Sequence, residues 1–180
     1  ISFFLTVILI SKKGKKQSDN ILAVWLAFTG VHFTLFYIFI SNTFIRFPYF
    51  LGFEIPIALL YGPFLFLYAT SLTGNRKIKP VALLHFLPAL LLYIRLLPFY
   101  ISSSAEKIYV YQHQGSGYES LIIFNRIAII VSGISYIVFT LLLLGRQQRL
   151  DVRQQPLVGL PPILAGLLAD LPHRRKARAV

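Results

Sequence analysis

Residues 21–40 read ILAVWLAFTGVHFTLFYIFI, twenty positions without a Lys, Arg, Asp or Glu. A helix rises about 1.5 Å per residue, so this run is about 30 Å long and matches the hydrocarbon layer of a bilayer. Comparable apolar stretches cover residues 49–72, 81–101 and 121–144, with polar segments between them. Pro56 and the Gly62-Pro63 pair interrupt the first of these, Pro88 and Pro98 the second. Membrane helices tolerate proline where neighbours or water satisfy the freed carbonyls, so kinked spans are predicted there. Residues 1–10 are apolar but too short to span. They read as the inner end of a truncated helix and not as a signal peptide, since no cleavage-site pattern follows. The pattern predicts an all-α fold, a polytopic membrane helix bundle of about five transmembrane helices, the first truncated.

The polar connections add an orientation. Lys12, Lys13, Lys15 and Lys16 precede the first full span, and Arg46 stands alone in the next connection. Arg76, Lys77 and Lys79 follow, then Lys107 against Glu106 and Glu119, then Arg146, Arg149 and Arg153. A basic count of four, one, three, one, three fits the positive-inside rule with the Lys12, Arg76 and Arg146 loops cytoplasmic. Tyr49, Tyr93, Tyr100 and Tyr118 then fall near the outer interface, as an aromatic belt does.

Helical spacing sorts the faces. Ala23, Ala27, Gly30 and Thr34 form a stripe of small residues opposite Trp25, Phe28, His32 and Phe36. Asn125, Ala128, Ser132 and Ser135 form a second stripe, and both are expected to make helix–helix contacts. Three formal charges fall inside spans: Glu54, Arg95 and Arg126, all at a similar depth near the outer face. A charge at the bilayer centre costs about 2.5–3.5 kcal/mol on insertion scales, so it needs a partner or a wet cavity. Glu54 is expected to pair with Arg95 or Arg126 in an outward-facing pocket that takes the signal. The alternative is that both arginines snorkel to the interface. His85, Pro88, Leu92 and Arg95 share a face at three-four-three spacing, with His85 read chiefly as a structural hydrogen bonder. Residues 102–120 form the longest connection between spans. The alternation of Tyr109, Tyr111 and His113 there reads as a short hairpin capping the pocket, or the segment is a disordered loop.

Composition narrows the function classes. Of 180 residues 56% are hydrophobic and 13% charged, with mean hydropathy +0.69, whereas soluble domains carry about 25% charged residues. The net charge of +12 lies in connections between apolar blocks, which suits lipid head groups better than nucleic acid. With no Cys there is no disulfide framework, and His32, His85, His113 and His173 lack ligand spacing, so no metal is expected. Gly115-Ser116-Gly117 lacks the third glycine and the strand–helix context of a dinucleotide loop. There is no HExxH, nucleophile elbow or helix-turn-helix, and neither catalysis nor a cofactor is expected. All 16 Phe and all 10 Tyr precede Leu141. The chain therefore divides into a membrane domain, residues 1–155, and a tail, residues 156–180. The tail is either an interfacial segment ending in HRRKAR or an unrelated, frame-shifted end. The absence of Met and the start at Ile1 suggest a piece of a longer product.

The stretch LLYGPFLFLYATSLTGNRKIKPVALLHFLPALLLYI joins Gly62-Pro63, a short basic loop and Leu-Leu-His-Phe-Leu-Pro at residues 83–88. Over residues 1–155 the chain resembles the membrane-spanning N-terminal sensor region of bacterial AraC-type transcription regulators. Gly62, Pro63, His85 and Pro88 match the motif, as structural positions. The resemblance implies several helices in the bacterial inner membrane ahead of a cytoplasmic pair of helix-turn-helix motifs. DNA is then a partner only through that downstream domain, which the segment from Pro156 does not resemble. It also implies an extracytoplasmic or membrane-dissolved signal, and leaves room for a homodimer. Two other classes make different demands. A small-molecule transporter or permease favours an inverted hydropathy repeat and a polar site at mid-membrane, and neither is present. A membrane acyltransferase using His85 needs a second acid or base at the same depth, and the spans offer none.

Overall fold

The structure, a computed structural model, describes residues 1–73 and 79–154, and for residues 151–154 the backbone alone. Arg76, Lys77 and the tail assigned to residues 156–180 lie outside the described residues. Every regular element among the described residues is helical. The α-helices are α1 (Ser2–Ser11), α2 (Gln17–Ile40), α3 (Glu54–Ile57), α4 (Tyr61–Thr73), α5 (Leu87–Arg95), α6 (Leu97–Ile101), α7 (Ser104–Gln112) and α8 (Glu119–Gln154). Short 3-10 segments at Pro48–Phe50, Ala58–Leu60 and Pro80–Phe86 join or extend them. The chain forms two units, Ile1–Leu141 and Leu142–Val180. The site lies in the first; of the second, the described part is helical to Gln154.

Among the described residues three helical stretches are long and apolar enough to cross a membrane: α2, the composite Pro48–Thr73, and Glu119–Leu150 within α8. α1, short as the sequence implies, and Pro80–Arg95 are apolar but shorter, so length and composition support three of the expected five spans. The prolines explain the difference in the fourth stretch. Pro80, Pro88 and Pro98 each stand in the first turn of a new segment, where a missing N–H costs nothing, instead of kinking one long helix.

Burial identifies the central element. Half of the apolar window in Pro48–Thr73 is buried inside the molecule, against 11% in α2 and 6% in α8. Around it the core gathers Leu59, Leu60, Phe64, Leu92, Leu96 and Phe99. α1 lies antiparallel on α2. The Phe3 ring covers Gly30, where a Cβ would come within 2.9 Å of it, and Thr6 Oγ1 donates to the Ala23 carbonyl at 3.4 Å. The small-residue stripe of α2 thus receives α1. Its aromatic side receives α4, with Trp25 stacked on Phe64 at 6.3 Å and His32 Nδ1 hydrogen-bonded to the Tyr61 hydroxyl. The broken stretch 80–101 runs antiparallel to the central one. Phe86 meets Phe64 at 5.0 Å, Tyr93 meets Phe53 at 6.4 Å, and the Tyr100 hydroxyl reaches the Gly52 carbonyl at 3.1 Å.

The connection 102–120 is neither a hairpin nor a disordered loop but carries α7. Ser103 Oγ accepts from the Glu106 backbone N–H at 3.2 Å, an N-cap, and Lys107 and Val110 face inward. The outward side of α8 reads Ile123, Ile127, Ile130, Ile134, Ile137 and Leu141, each more than half exposed. So continuous an apolar stripe is of the kind that suits lipid tails.

Candidate functional site

The ends of α2, α3, α6, α7 and α8 converge and line a half-open cavity of about 640 Å³. Phe36 and Phe39 come from the last turns of α2, Phe99 from α6 and Tyr118 from the turn before α8. The polar wall is Glu54 at the start of α3, Tyr111 of α7, and Glu119, Asn125 and Arg126 of α8.

Glu54 is half-buried, and its Oε1 accepts the Tyr111 hydroxyl. The expected pairing with Arg95 or Arg126 does not form. Among the described residues the one ion pair within 4.0 Å is Lys12 with Asp19, at 2.8 Å. Arg95 is exposed and takes no part in the wall; Arg126 is exposed but does line it. A phenol satisfies the carboxyl group, while both arginines extend from exposed helix faces. Burial first, and then the Glu54 carboxylate, hold the Tyr111 phenol well above the usual 10.0, so it remains a donor. Asn125 is 7% exposed. Its Nδ2 donates to the Ile55 carbonyl at 3.5 Å, and its Oδ1 has no partner among the described residues.

The tyrosines expected to form a belt gather at this same end. The Tyr93 hydroxyl donates to the Phe53 carbonyl at 3.0 Å, and Tyr118 meets Phe99 edge-on at 5.4 Å. Lys107 Nζ lies 5.9 Å from the centre of the Tyr49 ring and donates to the Tyr100 carbonyl at 2.8 Å.

The motif residues form a separate junction. Gly62 presents bare backbone to the Tyr136 ring, and the Tyr136 hydroxyl is hydrogen-bonded to His85 Nδ1 at 2.9 Å. Pro63 is fully buried beside it. Pro88 instead opens α5 and is exposed. The face assigned to His85, Pro88, Leu92 and Arg95 is split, with Leu92 buried and both Pro88 and Arg95 exposed. His85 sits in a 3-10 segment, whose three residues per turn break the 3.6-residue register. Among the described residues no cluster of three His, Cys, Asp or Glu is placed to hold a metal.

Sequence reasoning marked Glu54 and Arg126 of the cavity wall and missed the role of Tyr111. The spacing of Ser103 and Glu106, a capping box, was the signal that turns residues 104–112 into a helix and aims Tyr111 inward. No protein-family model matches this chain, and no match was found among curated proteins or solved structures.

Proposed function

We propose that this chain is the membrane-embedded sensory domain of a bacterial transcription regulator of the AraC type. It sits in the cytoplasmic membrane with its basic loops inside, and its output is a helix-turn-helix domain that follows it in the whole protein. The observation that carries this reading is the cavity. It is of small-molecule size, it mixes aromatic walls with a few polar groups, and it is built from the ends of five helices. A ligand that prefers one arrangement of those ends shifts the bundle toward it. α8 supplies Asn125 and Arg126 to the wall and is one helix of 36 residues, a suitable lever for that shift. The junction supports the resemblance, because two of the matching positions, Gly62 and His85, meet at Tyr136, and Pro63 next to Gly62 is fully buried.

The next domain's worth of the parent reading frame, about 150 residues, tests the class directly. A pair of helix-turn-helix motifs with basic recognition helices is expected. A further set of apolar spans in inverted order would assign the chain to a transporter instead.

A further inference from the structure

We infer that the cavity is a site for a protonated amine carried on an apolar body. The wall offers acceptors. Asn125 Oδ1 is buried and has no partner among the described residues, although burying an unsatisfied polar atom is costly. Glu54 lines the same space and has no cation within 4.0 Å among the described residues. Glu54, Glu119 and Arg126 all line the cavity, but Glu119 and Arg126 are exposed, which leaves the half-buried Glu54 as its inner charge. An anionic head would meet the carboxylates and leave Asn125 Oδ1 unpaired. An ammonium group donates up to three hydrogen bonds, to Glu54 in the wall and, once the Asn125 side chain turns toward the cavity, to its Oδ1 as well. Phe36, Phe39 and Phe99 supply apolar surface for the rest of the molecule and aromatic faces toward a cation. The ammonium belongs either to a free amphiphilic amine or to the head group of an aminophospholipid. As the identity of the signal, the inference rests on the sensory reading; as a binding site, it does not.

The test uses the whole chain in phosphatidylcholine nanodiscs and calorimetric titration with 4-phenylbutylamine, 4-phenylbutanol and 4-phenylbutanoate. Saturable binding of the amine is expected, with the alcohol weaker and the acid silent. Glu54→Gln and Asn125→Leu should each weaken the amine about tenfold or more, about 1.4 kcal/mol or more. Arg95→Gln, outside the wall, should leave it unchanged, and far-UV circular dichroism checks that each variant is folded. Equal amine affinity in folded Glu54→Gln, preference for the acid, or only unsaturable partitioning overturns the proposal. Discs that contain phosphatidylethanolamine separate the sources. A fall in amine affinity there identifies the lipid head group, and unchanged affinity a free amine. Amine binding in a protein with no helix-turn-helix domain would sink the regulator reading alone. Absence of binding in a protein that has one would sink the amine site alone.

Discussion

Tyr136 does two things at once: its ring lies over the bare backbone of Gly62, and its hydroxyl satisfies His85 across 51 residues of sequence. The two contributions are separable. Gly62→Ala puts a methyl group into the ring, and overpacking of this kind costs about 1–3 kcal/mol. Tyr136→Phe keeps the ring and removes one hydrogen bond, about 0.5–1.5 kcal/mol. Denaturation in mild detergent should therefore rank Gly62→Ala below Tyr136→Phe, and both below the parent chain. A Gly62→Ala protein as stable as the parent would show that the ring moves aside freely. Gly62, Pro63 and His85 were singled out in the sequence only through the resemblance proposed for this stretch. Tyr136 carried no such signal, since a tyrosine in an apolar run has no periodic mark to set it apart. The same limit hid the partner of Glu54. Searching for an opposite formal charge finds Arg95 and Arg126, but a carboxyl group is equally served by a phenol 57 residues away.

Helix α7 is where two local signals competed. Tyr109, Tyr111 and His113 alternate as in a strand, while Ser103 and Glu106 carry the spacing of a capping box. Helix won because it places Lys107, Val110 and Tyr111 on one inward side, and because Lys107 gains the Tyr100 carbonyl. If the cap decides the element, Ser103→Ala should cost about 1 kcal/mol. The loss should appear first as faster hydrogen exchange at the amides of residues 104–107, with α2 and α4 unaffected. Uniform acceleration across the bundle would instead mean that α7 holds the fold together as a whole. At this scale the apolar runs placed α2, the central stretch and α8 correctly, because each is long enough for hydropathy alone to define it. The stretch 80–101 was harder. Its hydropathy is continuous, but three prolines divide its backbone, and proline inside an apolar run permits either a kink or a fresh start.

For the molecule as a whole, the decisive question is how often the chain crosses. α2 carries it from the lysine loop to the cavity end, where Phe36 and Phe39 meet Glu54 and Tyr111. The central stretch leads away again, from Phe53 toward Phe64. α8 begins beside Glu54, back at the cavity end, so the chain has returned through residues 80–101. The aromatic pairs along that segment show it retracing the central stretch from Phe64 to Phe53, although no helix within it is long enough to span alone. The bilayer can accept such a broken passage where protein covers its backbone. This packing predicts residues 41 and 103 on one face of a membrane and residue 13 on the other. The chain has no cysteine, so single replacements are clean reporters. With an impermeant maleimide on intact cells, Ser41→Cys and Ser103→Cys should label from outside and Lys13→Cys only after lysis. Labelling of residues 41 and 103 from opposite sides would mean that the broken segment does not cross. Labelling of both only after lysis would preserve the passages and reverse the orientation read from the basic loops. Only the first result strikes at the fold, because the predicted parity of crossings is drawn from the packing, whereas the predicted direction is drawn from charge alone.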